Sequence, residues 1–156
     1  MIREAVASDR EALATILYRA SRDVFPLAGI ERVDAAEFDR QTAGESILVA
    51  EKDDRPVGFS SVWDPDHFLH HFFIDPAYHR HGIGRSLMVA TMMRYGSALS
   101  LKCNTSNTTA RTFYRAMGWI ETGEPGGTSE GIGDWIWIRT PAAASALGLL
   151  PEGPDA

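Results

Sequence analysis

Residues 74–87, Ile-Asp-Pro-Ala-Tyr-His-Arg-His-Gly-Ile-Gly-Arg-Ser-Leu, constrain this chain more than any other stretch. They close an apolar strand-like run, His67 to Ile74, stop it at Asp75-Pro76, and lead into a mostly apolar helix over Ser86 to Tyr95. A strand, a tight glycine turn and a helix start in succession leave backbone N–H groups at the helix N-terminus without intrahelical partners. Gly82 and Gly84 let an anion approach that backbone closely. His79, Arg80, His81 and Arg85 surround the turn with donors and cations. The chain carries 15 Lys and Arg against 21 Asp and Glu, a net charge of −6. Basic groups concentrated at one turn of an acidic protein read as a phosphate cradle. A structural glycine turn bearing a solvated basic patch is the plain alternative.

Two familiar phosphate motifs do not fit. No Gly-Lys-Ser/Thr follows the turn, which excludes a P-loop. A dinucleotide fingerprint would need a third glycine where Leu87 stands and an acidic residue near Lys102.

At 156 residues the chain fits one domain, expected over 1–140, followed by an Ala-rich tail over 141–156, partly disordered or draped on the surface. The acidic balance argues against nucleic acid as a partner. A single cysteine, Cys103, excludes an intramolecular disulfide. No apolar run approaches the ~18 residues of a membrane span. The charged start, Met1-Ile2-Arg3-Glu4, lacks a secretory apolar region, so a soluble cytoplasmic protein is expected.

Local patterns supply the remaining elements. Ser8 and Glu11 form a capping-box pattern ahead of a helix whose apolar stripe is Leu13, Ile16, Leu17 and Ala20. Asp34 to Gln41 reads as a second short helix. Ser46 to Glu51 and Pro56 to Trp63 read as a hairpin across Lys52 to Arg55. A strand over Ala98 to Cys103 precedes a helix over Thr108 to Met117 capped by Asn107, with Gly118 at C′. Trp119 to Thr122 and Asp134 to Arg139 read as strands flanking a Gly-rich loop over Gly123 to Gly133. The order β-α-α-β-β-β-α-β-α-β-β predicts an α+β layer structure with a mixed sheet.

Ile74-x-Pro76-x-Tyr78 followed by His79-x-x-Gly82-x-Gly84 resembles the acetyl-CoA motif of the GCN5-related N-acetyltransferase (GNAT) superfamily. A second stretch, Asn107-x-x-Ala110-x-x-Phe113-Tyr114-x-x-x-Gly118-Trp119, resembles that family's downstream motif. The two occur in the family's order, separated by one helix and one strand. His79 departs from the usual Gln or Arg, although His still donates a hydrogen bond.

The resemblance implies the GNAT fold: a mostly antiparallel mixed sheet with helices on both faces and a splay between the fourth and fifth strands. It implies acetyl-CoA as co-substrate, its arm held by backbone groups of Phe72, Phe73 and Ile74. The pyrophosphate would lie on the amides from Arg80 to Arg85, including His81, Gly82, Ile83 and Gly84. Asn107 would contact the arm, and Tyr114 would protonate the departing thiolate. On periodicity alone Tyr114 equally fits a core position, because Ala110, Phe113, Tyr114 and Met117 make one apolar helical stripe. The implied activity is direct acetyl transfer to a primary amine of unidentified identity. A non-catalytic acyl-CoA-binding or sensor module is the alternative, and a nucleotide-phosphate-binding protein a remoter one. Homodimers are common in the family. The acceptor pocket would be built from Ser21 to Val33 and Gly123 to Gly133, with Asp23, Glu31, Glu37 and Asp39 nearby. Lys102 stands where the branch acting on ribosomal-protein N-termini has a glutamate.

All five histidines lie between residues 67 and 81. Strand alternation would place His70 and His71 on opposite sides, which argues against a metal site and makes one of them the candidate general base. His70, expected to share a face with Phe72 and Ile74, is preferred.

Overall fold

The structure, a computed structural model, describes residues 1–149. The chain forms two compact units, Met1–Arg94 and another from Tyr95 onward.

In the first unit, β1 (Ile2–Glu4), β2 (Ser46–Lys52), β3 (Arg55–Trp63) and β4 (Phe68–Ile74) form an antiparallel meander. Helices α1 (Arg10–Val24) and α2 (Ala35–Gln41) precede β2, and α3 (Ile83–Tyr95) follows β4. Asp53 and Asp54 at the β2–β3 turn both have positive φ, 53° and 61°, the twist that a two-residue hairpin favours. Strand register decides which side chains meet which helix. Val49 pairs with Phe59 and Phe59 with Phe73, so these three line one sheet face. That face packs on Leu13, Ala14, Ile16 and Leu17 of α1 and Phe38 of α2. Ser60 points to the opposite face, where its hydroxyl lies 2.9 Å from Thr91 Oγ1 of α3. Helices therefore cover both faces of this sheet.

The second unit holds β5 (Ser100–Asn104), α4 (Thr108–Ala116), β6 (Ile120–Ser129), β7 (Gly133–Arg139) and α5 (Pro141–Ala146). Its strands pair antiparallel in the order β5-β7-β6.

Most elements fall where the sequence places them, with three corrections. The capping box at Ser8 does not form: Asp9 stands at the N-cap of α1, and its carboxylate accepts from Val6 N at 2.8 Å and from the Arg3 guanidinium at 2.7 and 2.8 Å. That arginine holds the Asp9 carboxyl below its ordinary range. The Gly-rich stretch from Gly123 is no loop; most of it belongs to β6, which keeps its pairing with β7 through two register shifts. The tail begins as a helix rather than an unstructured segment, because the Thr140 hydroxyl caps α5 by accepting from Ala143 N. The rest of the expected tail, residues 150–156, lies outside the described residues.

Candidate active site

The turn from Tyr78 into α3 is open. His79, Arg80, His81, Gly82 and Arg85 are exposed, with Ile83 and Gly84 partly so. The first helical bond here runs from Ser86 N to Gly82 O at 3.2 Å, so the amides of Ile83, Gly84 and Arg85 precede the first intrahelical donor. Gly82 has φ +75°, a conformation glycine adopts freely. Arg80 adopts φ +66° without that freedom, at a cost of about 1–2 kcal/mol, so this turn carries some backbone strain.

Two contacts fasten the turn. His79 Nε2 lies 3.2 Å from Ile74 O, and His81 Nδ1 accepts from the Lys52 ammonium at 3.0 Å. Lys52, at the end of β2, was not picked out from the sequence; its cation reaches the turn only through the β2–β3 hairpin. Asp75 ties the strand end to α1, its carboxylate accepting from Arg19 and from Ala77 N, both at 3.0 Å. Phe72, Phe73 and Ile74 are half-buried and pair with Ser60, Phe59 and Gly58 of β3.

The histidines depart most from expectation. Ser61 pairs with His71 but Val62 pairs with Leu69, so His70 is the extra residue of a β-bulge. The bulge cancels strand alternation. His70 does not simply share the face of Phe72 and Ile74; its ring stands 3.8 Å, centroid to centroid, from that of His71. Its Nδ1 lies 2.9 and 3.0 Å from the two carboxylate oxygens of Glu45. A carboxylate only accepts, so Nδ1 carries the proton and Nε2 presents its lone pair in the neutral ring. His71 is buried on the Phe59 and Phe73 side, with Nδ1 2.9 Å from the Ser61 hydroxyl. Burial, and then the neighbouring His70, push its pKa down to about 3. His71 is thus the neutral member, and His70 the one open to solvent.

Glu45, His70 and His71 bring three potential metal donors within 4.8 Å of one another, against the expected divergence of the two histidines. Within this cluster the short contact is that of His70 with Glu45, while His71 Nδ1 stands 3.9 Å from Glu45 Oε1.

Glu45 also borders a surface pocket of about 250 Å³ lined by Gln41, Ala43, Trp63, Phe68 and His70. Phe68 stacks on His70 at 6.0 Å. Gly44 has φ +78°, and a Cβ there would stand 2.9 Å from the Trp63 ring, so glycine alone lets Trp63 close over this bend. Glu45 and the pocket walls were not identified from the sequence, because the signal is a bulge, and a bulge has no residue signature here.

In the second unit, Asn107 caps α4, its side chain accepting from Ala110 N at 3.2 Å. Tyr114 is buried, ring to ring with Phe113 at 5.4 Å and Trp119 at 5.6 Å. Burial holds its phenol pKa above the ordinary value. Cys103 is also buried, and burial raises its thiol to about 11, leaving it protonated at neutral pH. Lys102 is exposed and lies 5.0 Å from the centre of the Trp137 ring. Among the described residues no helix is long and apolar enough to cross a membrane.

Known proteins share this architecture. A ribosomal-protein-alanine N-acetyltransferase from Brucella melitensis superposes with a TM-score of 0.72 at 22% identity, over 90% of this chain and 98% of that one. The yncA protein of Salmonella typhimurium, solved with its cofactor acetyl-CoA, gives 0.69 at 19% identity over 89% and 91%. These likenesses establish the α+β GNAT fold. An uncharacterized protein of Mycobacterium leprae is 33% identical over 98 residues, which are 57% of this chain and 27% of that protein. The chain thus spans about a quarter of that relative's length. The model of the acetyltransferase (GNAT) domain matches residues 21–134, a span that contains the glycine turn, the bulged strand and α4. By that match the chain belongs to the GNAT acetyltransferase family.

Proposed function

We propose that residues 1–140 act as one N-acetyltransferase domain, which moves an acetyl group from acetyl-CoA directly to a primary amine. The observation that carries this reading is the glycine turn: exposed amides ahead of the first α3 bond, in a strained loop ringed by Arg80, Arg85, His81 and Lys52. Such a cradle suits a diphosphate. The pantetheine arm would follow the β4 backbone at Phe72, Phe73 and Ile74, where the fold family opens its sheet, with Asn107 also touching the arm. One N–H there would polarise the thioester carbonyl.

The amine must shed a proton before attack. An alkylamine of pKa ~10.4 costs roughly 4–5 kcal/mol to neutralise at pH 7. His70 is the base in this reading, accepting at Nε2 while Glu45 holds Nδ1. Tyr114 donates a proton to the CoA sulfur. Direct transfer is supported by Cys103, the chain's one cysteine, which is buried and protonated and so unsuited to carrying an acyl group. The reaction as proposed uses no metal. A cytoplasmic location, independence from nucleic acid and membrane, and a homodimeric state complete the proposal; the first three rest on composition and the last on family habit.

A second reading, a non-catalytic acyl-CoA-binding module, draws on the burial of Tyr114, which also suits a core residue. Tyr114→Phe separates them. An enzyme loses CoA-thiol release and keeps acetyl-CoA affinity; a sensor shows no amine-dependent release before or after the change. Titration with CoA against ATP tests the cradle itself: preference for ATP would refute it.

A further inference from the structure

We propose that the pocket beside the β4 bulge is the acceptor site and that it takes a compact primary amine in its ammonium form. This rests on the acetyl-transfer reading for its role, though not for its binding chemistry.

Of the four carboxylates expected near the acceptor, the two on α2 are already paired. Asp39 is paired with Arg10 and Glu37 with Arg40, so both charges are already answered on the surface. Glu45 differs. Its side chain is only 4% exposed, yet its ion-pair partners are the imidazoles of His70 and His71 rather than a lysine or arginine. His71 stays neutral, so a positive charge from His70 or from a ligand is the available balance for a nearly buried carboxylate.

The walls fit the same ligand. Trp63 and Phe68 border the pocket and offer aromatic surface, which attracts an ammonium and accommodates a short apolar body. Trp63 is 38% exposed, and its ring packs directly over Gly44, where a Cβ would stand 2.9 Å from it. The volume of about 250 Å³ has room for a compact amine.

The step balances as follows. The ammonium gives one proton to the Glu45–His70 pair, and the freed lone pair attacks the thioester carbonyl carbon. The C–N bond forms and the C–S bond breaks. Of the two protons leaving nitrogen, one ends on the CoA sulfur and one reaches solvent through His70, whose side chain is 41% exposed.

Binding and turnover test this separately. Benzylamine and propylamine are titrated into the protein by ligand-observed NMR, with benzyl alcohol and propanol as neutral counterparts, on wild type, Glu45→Gln, Trp63→Ala and Trp63→Phe. The proposal expects the amines to bind at least 10-fold tighter than the alcohols, Glu45→Gln to erase that preference, and Trp63→Ala to weaken binding at least 5-fold with Trp63→Phe largely restoring it. Unchanged acetyl-CoA affinity in each variant shows that the fold is intact. Amine binding that is absent, or equal across all four proteins, overturns the proposal. Failure of the acetyl-transfer reading shows up differently: amines bind as described, but no CoA thiol is released.

Discussion

His70 Nδ1 lies 2.9 and 3.0 Å from the two oxygens of Glu45, a residue 25 positions earlier in the chain. The β-bulge brings them together, and the contact fixes which ring nitrogen carries the proton in the neutral ring. Removing the proposed base by His70→Ala is expected to lower kcat by about 10²–10⁴. Added imidazole restores part of that rate in His70→Ala and none in Tyr114→Phe. Glu45→Gln keeps the ring but frees its orientation, so kcat falls less than in His70→Ala while the amine KM rises. Steady-state kinetics on the three variants check these outcomes.

His71 makes acid stability testable. Its pKa is about 3 in the folded chain against 6.5 in the unfolded one, so the unfolded state binds the extra proton as pH falls below 6.5. The fold therefore loses stability between pH 6.5 and pH 3, with an upper bound near 1.4 kcal/mol per pH unit. Carboxylates such as Asp9, Glu121 and Glu124 have lowered pKa values, and their stabilisation is lost only as pH passes below about 4.5. The window from 6.5 to 4.5 thus lies above those carboxylates and within the range set by His71. Thermal melts are expected to fall across it in wild type and to flatten in His71→Asn; equal slopes would show that His71 does not titrate with folding.

How much of this was legible beforehand differs by feature. The glycine turn and the Asn107-capped helix were visible because each depends on local chemistry: glycines beside a helix start, and an amide side chain that accepts from the third residue on. The hairpin at Asp53-Asp54 was legible for the same reason. The His70–Glu45 pair was not, because period-2 reasoning assumes an unbroken ladder, and one inserted residue reverses which face a side chain takes. β6 was misread because its glycines and Pro125 look like a loop, whereas register shifts against β7 absorb them. Lys52 beside His81 depends on tertiary placement that no local pattern announces.

The cradle predicts a division between binding and chemistry. Lys52→Ala and Arg80→Ala should each raise the KM for acetyl-CoA several-fold, with kcat held within about twofold and the effect shrinking at high salt. Gly82→Ala adds a left-handed alanine at a cost of about 1 kcal/mol and should weaken CoA binding further. Steady-state kinetics with acetyl-CoA at two ionic strengths read KM and kcat, and calorimetric titration with CoA reads the affinity of all three variants.

Cys103 tests the route. Cys103→Ala should leave kcat within about twofold of wild type, because a buried, protonated thiol is a poor nucleophile. Intact-protein mass spectrometry after mixing with acetyl-CoA alone should show no added acetyl mass. A covalent acetyl on Cys103 would establish a two-step transfer instead.

The most direct measurement mixes the purified protein with acetyl-CoA and a panel of compact primary amines, following thiol release and product mass together. One acetamide should form for each CoA released, and Tyr114→Phe should abolish release while still binding acetyl-CoA. Tight acetyl-CoA binding with no amide formed from any amine would contradict the account and leave a binding module in its place.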